Sequence, residues 1–205
     1  MFQLPKRKPV NAQDMIRVSH CQGKHLDGLF VEDSLWYLKS PEFVAAYLKP
    51  LSDIINHIGL PCLDVGCAEG WACERLKVQY TGIDGSQLAI DKAKKKYRNK
   101  TFHLARIEDP VLPEPHDFGT ILMGGIFSIN VRPEFHYDFM KIYMERFQPK
   151  YIIIYELIRV GTKHLENKPD IALVHYQEGD AGISKDRLRK QFLNKRKIMV
   201  FECLY

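Results

Sequence analysis

The chain has 205 residues, enough for one domain with a sizeable core, and its 45% apolar and 27% charged residues are an ordinary globular composition. No apolar run approaches the roughly 18 residues that span a bilayer, and residues 1–8 carry charge with no apolar core behind them, so neither a membrane span nor a secretory leader is expected. The net charge of +5 would suit an acidic partner.

In chain order, residues 1–30 are punctuated by Pro5, Pro9, Gly23 and Gly28, with one helix expected over 11–20. Ser40, Pro41 and Glu42 form a helix start: an N-cap hydroxyl, a proline in the first turn, then an acid. Pro50 should kink or divide this helix. Its second piece carries Leu51, Ile54, Ile55 and Ile58 and closes at Gly59. Residues 60–65 read as a buried parallel strand, 66–70 as a tight turn, and 71–77 as a crossover helix. A second strand runs from Tyr80 to Asp84. Ser86 caps the next helix, with Ala89, Ile90 and Ala93 inward and Lys92, Lys94, Lys95 and Lys96 toward solvent. Strands follow at 101–104 and 117–123, a helix starts at Arg132-Pro133, and an Ile-rich strand occupies 151–157. Residues 158–183 are long and irregular, as lids and binding segments are. Ser184 should cap a helix to about Asn194, and 196–205 should be a last strand, its hairpin partner within 171–176.

Five cysteines, Cys21, Cys62, Cys67, Cys73 and Cys203, are an odd count without metal-ligand spacing, which points to reduced thiols in a cytoplasmic protein and to no metal. The basic residues fall in clusters at 6–8, 92–100 and 185–197, and the last two look like solvated helix faces.

The turn at 66–70 decides the chemistry. Strand, small-residue turn and helix start make the usual seat for a nucleotide-like cofactor. A dinucleotide fingerprint, Gly-x-Gly-x-x-Gly, would place Trp71 where the backbone must approach closely, which argues against an NAD-dependent oxidoreductase. The other register, acidic-x-Gly-x-Gly-x-Gly, reads Asp64, Gly66, Ala68, Gly70, with Ala in the middle place. This resembles the first motif of class I S-adenosylmethionine-dependent methyltransferases. An acid at the end of the second strand, Asp84, supports the likeness, because a carboxylate there can take both ribose hydroxyls.

The resemblance covers about residues 60–157. It implies an α/β, Rossmann-like sheet with helices on both faces, residues 50–205, under an N-terminal helical cover, residues 1–49. It implies S-adenosylmethionine as cofactor, held by Asp64, Gly66, Cys67, Ala68, Gly70, Asp84, Gly85, Ser86, Arg106, Ile107, Glu108 and Met123. Arg106 stands where the family often has an acid facing adenine; Glu108 or Asp109 is the expected replacement, with Ile107 against the adenine face. Met123, Gly124 and Gly125 should flank the transferring methyl group. The motifs of amine-directed nucleic-acid enzymes, cytosine C5 enzymes and protein arginine enzymes are missing after the fourth strand, which leaves methyl transfer to an O, N or C atom of a small molecule.

A base is needed only where the acceptor must lose a proton. His136 is the first candidate, facing either pocket or solvent. His116, His164 and His175 are the others. The acceptor should lie under Trp36, Tyr37, Tyr47 and Tyr176. Two readings compete: a nucleic-acid methyltransferase acting through the basic clusters, and an inactive cofactor-binding regulatory subunit.

Overall fold

The computed structural model describes residue 15 and residues 44–113, 117–129, 131–157, 160–179 and 196–205. Trp36, Tyr37, the helix start at Ser40, His116 and the helix expected after Ser184 lie outside them.

Pro50 shapes the first described segment. A single π turn, Val44–Leu48, runs into helix α1, Lys49–Ile58. Pro50 falls in the first turn of α1, where its missing N–H is not needed. The division expected at Pro50 is thus a change of winding. Leu51, Ser52 and Ile55 face inward, and Gly59, at φ +73°, ends α1 by donating its N–H to the Ile55 carbonyl at 3.0 Å.

Strand β1, Cys62–Val65, is buried at every position. The crossover helix expected at 71–77 is only a 3₁₀ turn, Trp71–Arg75. Leu76 is already extended, and the Asn56 side chain takes the Lys77 N–H at 2.7 Å while donating to the Arg75 carbonyl at 3.0 Å. These bonds stop the helix and turn the chain into β2, Tyr80–Asp84. Helix α2, Gln87–Lys96, is capped by Ser86, whose Oγ accepts from the Ala89 N–H at 3.1 Å. Then come β3, Thr101–Leu104, β4, Thr120–Gly124, and a short helix α3, Ile126–Ile129, that the sequence did not announce. Helix α4, His136–Phe147, leads to β5, Tyr151–Leu157.

The last two strands are β6, Ile171–Gly179, and β7, Arg196–Cys203. The expected hairpin partner is therefore real and longer than 171–176. This corrects the lid reading of 158–183: nine of those residues belong to the outermost strand of the sheet. Tyr176, expected over the acceptor, is half-exposed on that strand and bonds to Glu178 instead.

The strands form one sheet in the order β3-β2-β1-β4-β5-β7-β6. The first five are mutually parallel, and β7 pairs antiparallel with both β5 and β6. Side chains alternate between two cores. On one face Leu63, Val65, Ile121, Met123, Ile152 and Ile154 meet Phe139, Met140 and Tyr143 of α4. On the other, Cys62, Leu122 and Ile153 meet Leu51 and Ile55 of α1 and Ile90 and Ala93 of α2. Helices thus cover both faces of a Rossmann-like sheet. Tyr47 is buried in the second core, its ring 5.8 Å from that of Tyr155. Met15 is buried in the first core, and its carbonyl accepts from the Arg132 N–H at 3.1 Å, so this residue lies on the α4 face.

Candidate active site

Strand order reverses between β1 and β4, and open α/β sheets bind ligands outside the carboxyl ends of the strands at that point. The turn after β1 is built for close approach. Gly66 has φ +70° and Gly70 φ +78°. A Cβ on Gly66 would lie 2.4 Å from Ile126 Cδ1, and one on Gly70 would lie 3.0 Å from the Phe102 ring. Between them Ala68 is held at φ +50°, a conformation costly for any residue with a Cβ. Replacing Ala68 by glycine is expected to stabilise the protein by about 1 kcal/mol and to raise its melting temperature by roughly 2–4 °C, read in a thermal melt.

Asp84 joins the two turns. Its carboxylate accepts the Ala68 N–H at 3.0 Å through Oδ2 and the Ser86 N–H at 2.9 Å through Oδ1, and the residue is buried. The acid expected at the end of the second strand is therefore also the clasp between the two motifs. Cys67 donates its N–H to the Ile83 carbonyl at 2.9 Å, and its sulfur lies over Gly82, where a Cβ would come within 2.7 Å of it. Burial pushes the Cys67 thiol well up. Gly85 is partly exposed at the same edge, whereas the Ser86 hydroxyl is committed to capping α2.

Asp64 sits beneath this turn and is buried, with its Oδ2 accepting the Tyr80 hydroxyl at 2.6 Å. Burial pushes its carboxyl up to about 7, against the Tyr80 bond and with help from Asp84. A carboxyl raised in the folded state favours folding while protonated, and that contribution is lost as pH rises through about 7. Asp64→Asn should therefore come closest to wild type in thermal melts below about pH 4, where the carboxyl is protonated in both states, and melt higher than wild type above about pH 7.

On the far side of β2, the Arg106 guanidinium pairs with the Glu108 carboxylate, which is buried. Asp109 faces Arg146 at 3.6 Å. Ile107 packs into the α4-side core, and its carbonyl accepts the Tyr143 hydroxyl. Met123 lies in that same core, so the backbone at the β4 exit is presented by Gly124 and Gly125. At Gly125, φ +72°, a Cβ would meet nothing within 4 Å.

The histidines separate. His136 opens α4 and is fully buried, stacked on Phe127 with ring centroids 4.3 Å apart. Burial removes the solvent-facing alternative. His164, exposed on a 3₁₀ turn, Lys163–Leu165, has its ring 5.5 Å from His136. His175 is exposed on β6, opposite Val200 and two strands beyond β5, outside the crevice.

The sequence reading missed a buried polar group at the end of β5. Glu156 is fully buried and stands directly opposite Lys197 of β7, itself buried. A glutamate at the end of an Ile-rich run, and a lysine at the start of the last strand, were the available signals. The basic clusters are also partly spent: Lys92 binds Glu69 at 2.9 Å, Lys96 binds Glu74 at 3.5 Å and lies over the Trp71 ring, and Lys197 is internal. Among the described residues no group of three or more His, Cys, Asp or Glu side chains is gathered as metal ligands would be. A groove of about 450 Å³ beside Lys49, Asn56 and Lys77 lies by the segment entering β2, away from these turns.

Residues 63–129 match a family described as a methyltransferase domain. Among solved structures, the chain resembles the plantazolicin methyltransferase BpumL, in complex with a triazolic desmethylPZN analog and SAH, with TM-score 0.59 and 14% identity over 86% of this chain and 91% of that one. It resembles magnesium protoporphyrin IX methyltransferase from Synechocystis PCC 6803 with bound SAM, with TM-score 0.54 and 11% identity over 76% and 77%. It also resembles the [4+2]-cyclase SpnF, with TM-score 0.55 and 13% identity over 76% and 81%. A comparison with curated protein sequences found no match.

Proposed function

We propose that the chain is a class I S-adenosylmethionine-dependent methyltransferase that moves the cofactor's methyl group to an O or N atom of a small molecule, a reading supported by the methyltransferase-domain match over residues 63–129 and by the shared fold of the methyltransferase neighbours. The observation that carries this reading is the Asp84 clasp, which fixes an acid and two glycine-type turns at the one edge of the sheet suited to an adenosyl group. Gly66, Cys67, Ala68 and Gly70 would pass close beneath the amino-acid part, with Asp64 supporting them from below. Asp84 and Gly85 would take the ribose, with Ser86 holding its N–H to Asp84. Ile107 and the Arg106–Glu108 pair would border the adenine, and Met123 would back the β4 exit.

The cofactor, when bound, supplies an electrophilic sulfonium methyl group. The protein's part is alignment of donor and acceptor, which can lower the barrier by several kcal/mol. His136, behind Phe127, is proposed to act through its neighbour His164 and not on the acceptor itself. The small-molecule choice is supported by the printed names of the two neighbouring methyltransferases and by the acid partners of Lys92 and Lys96. The cyclase neighbour favours a second reading, a bound cofactor serving other chemistry, since one fold hosts several.

The four described cysteines are free and buried, and no helix among the described residues is long and apolar enough to cross a membrane. A reducing cytoplasmic setting fits the thiols. The test is incubation with methyl-labelled S-adenosylmethionine and fractionated cell extract. Label should enter small molecules; label in RNA or DNA, falling with salt as phosphate contacts would, would replace this reading, and absence of transfer from a bound cofactor would favour the second.

A further inference from the structure

The end of β5 is more elaborately fixed than a surface turn requires. Lys197 Nζ donates to the Val160 carbonyl at 2.8 Å and to Thr162 Oγ1 at 2.5 Å. Thr162 is buried, its hydroxyl 3.2 Å from Met199 Sδ, and Leu165 is fully buried in the α4-side core. The chain is therefore held at 160, 162 and 165, and His164 is carried on the turn between the last two points. From the other side a run of contacts leads to the same ring. The Gly66 turn lies against Ile126, the next residue Phe127 stacks on His136, and His136 stands beside His164. Both runs converge on the carboxyl ends of β4 and β5, next to the β1–β4 reversal.

We infer that His164 takes the proton from the methyl acceptor in this same site, so that the acceptor is a neutral O–H or N–H compound; this rests on the methyl-transfer reading above. The acceptor's O–H or N–H bond breaks, its proton goes to the unprotonated ring nitrogen of His164, and the freed electron pair forms the bond to the methyl carbon. The carbon–sulfur electron pair stays on sulfur, and the imidazolium later returns its proton to water. Partial burial, Lys168 and Lys197 lower the His164 ring from its ordinary value, which favours the neutral form that can accept a proton. The charged and titratable groups around it are Lys168 on the following turn, Lys197 on β7 with Glu156 across from it, and His136 on α4.

The two forms of the cofactor give a test that needs no acceptor. S-adenosylmethionine carries a positive sulfonium, and S-adenosylhomocysteine does not. The His164 resonance, assigned by its loss in His164→Gln, is titrated by NMR in the saturated complex of each. A base beside the methyl group should titrate lower in the S-adenosylmethionine complex by roughly half a pH unit or more. Equal midpoints with both ligands bound would place His164 away from the methyl group and overturn the inference. Failure of both ligands to bind, read by calorimetry, would instead remove the methyltransferase reading on which it rests.

Discussion

Asp84→Ala is expected to weaken S-adenosylhomocysteine binding by roughly 100-fold or more, since two charged hydrogen bonds to ribose at about 1.5–3 kcal/mol each would be lost. The effect has a second source. Asp84 also accepts the Ala68 and Ser86 N–H groups, so its removal loosens the turns after β1 and β2 together. Asp84→Asn separates the two contributions, since it keeps an acceptor for one N–H while losing the charge. The alanine variant should be weak in calorimetry and should also melt lower. The asparagine variant should lose affinity with a smaller change in melting. Unchanged affinity in both would remove Asp84 from the site.

The second large effect is on stability. Lys197→Ala deletes an internal ammonium that donates to the Val160 carbonyl and Thr162 Oγ1, and leaving buried acceptors without their charged donor costs about 3 kcal/mol. At this chain length each kcal/mol lowers the melting temperature by roughly 2–4 °C. The double variant Lys197→Met with Glu156→Leu should recover most of the loss, because apolar side chains then replace two buried charged groups that stand opposite each other across the strands. If Lys197→Ala melts like wild type, or if the double variant is worse than the single, the two residues are not acting together.

Much of this architecture was legible because it follows from local rules. Ser86 caps α2 as a hydroxyl before an amphipathic run should, and the strands at 80–84, 101–104 and 151–157 fall where buried runs predicted them. The elements that escaped are those set by distant partners. Asn56 reaches across to end the turn at Arg75, which no reading of residues 71–77 by themselves reveals. The nine-residue strand β6 is specified mainly by pairing with β7, so its mixed sequence looked like a loop.

The candidate site divides the same way. Gly66, Gly70 and Asp84 carry their meaning in sequence, since positive φ and a strand-end acid have few other uses. The grouping of Glu156, Lys197 and Thr162 depends on an antiparallel register between strands 40 residues apart in the chain, which spacing does not encode. His136 illustrates the limit of periodicity. Its angular position on α4 left pocket and solvent open, and Phe127, on a short helix that the sequence did not mark, decided for burial.

The central claim is that the crevice at the β1–β4 reversal holds S-adenosylmethionine. Calorimetric titration of the wild-type protein with S-adenosylhomocysteine tests it most directly, with NAD as the parallel titrant. Saturable one-to-one binding of S-adenosylhomocysteine, lost in Asp84→Ala, with no heat from NAD, is the result expected. Binding of NAD with none of S-adenosylhomocysteine would contradict it.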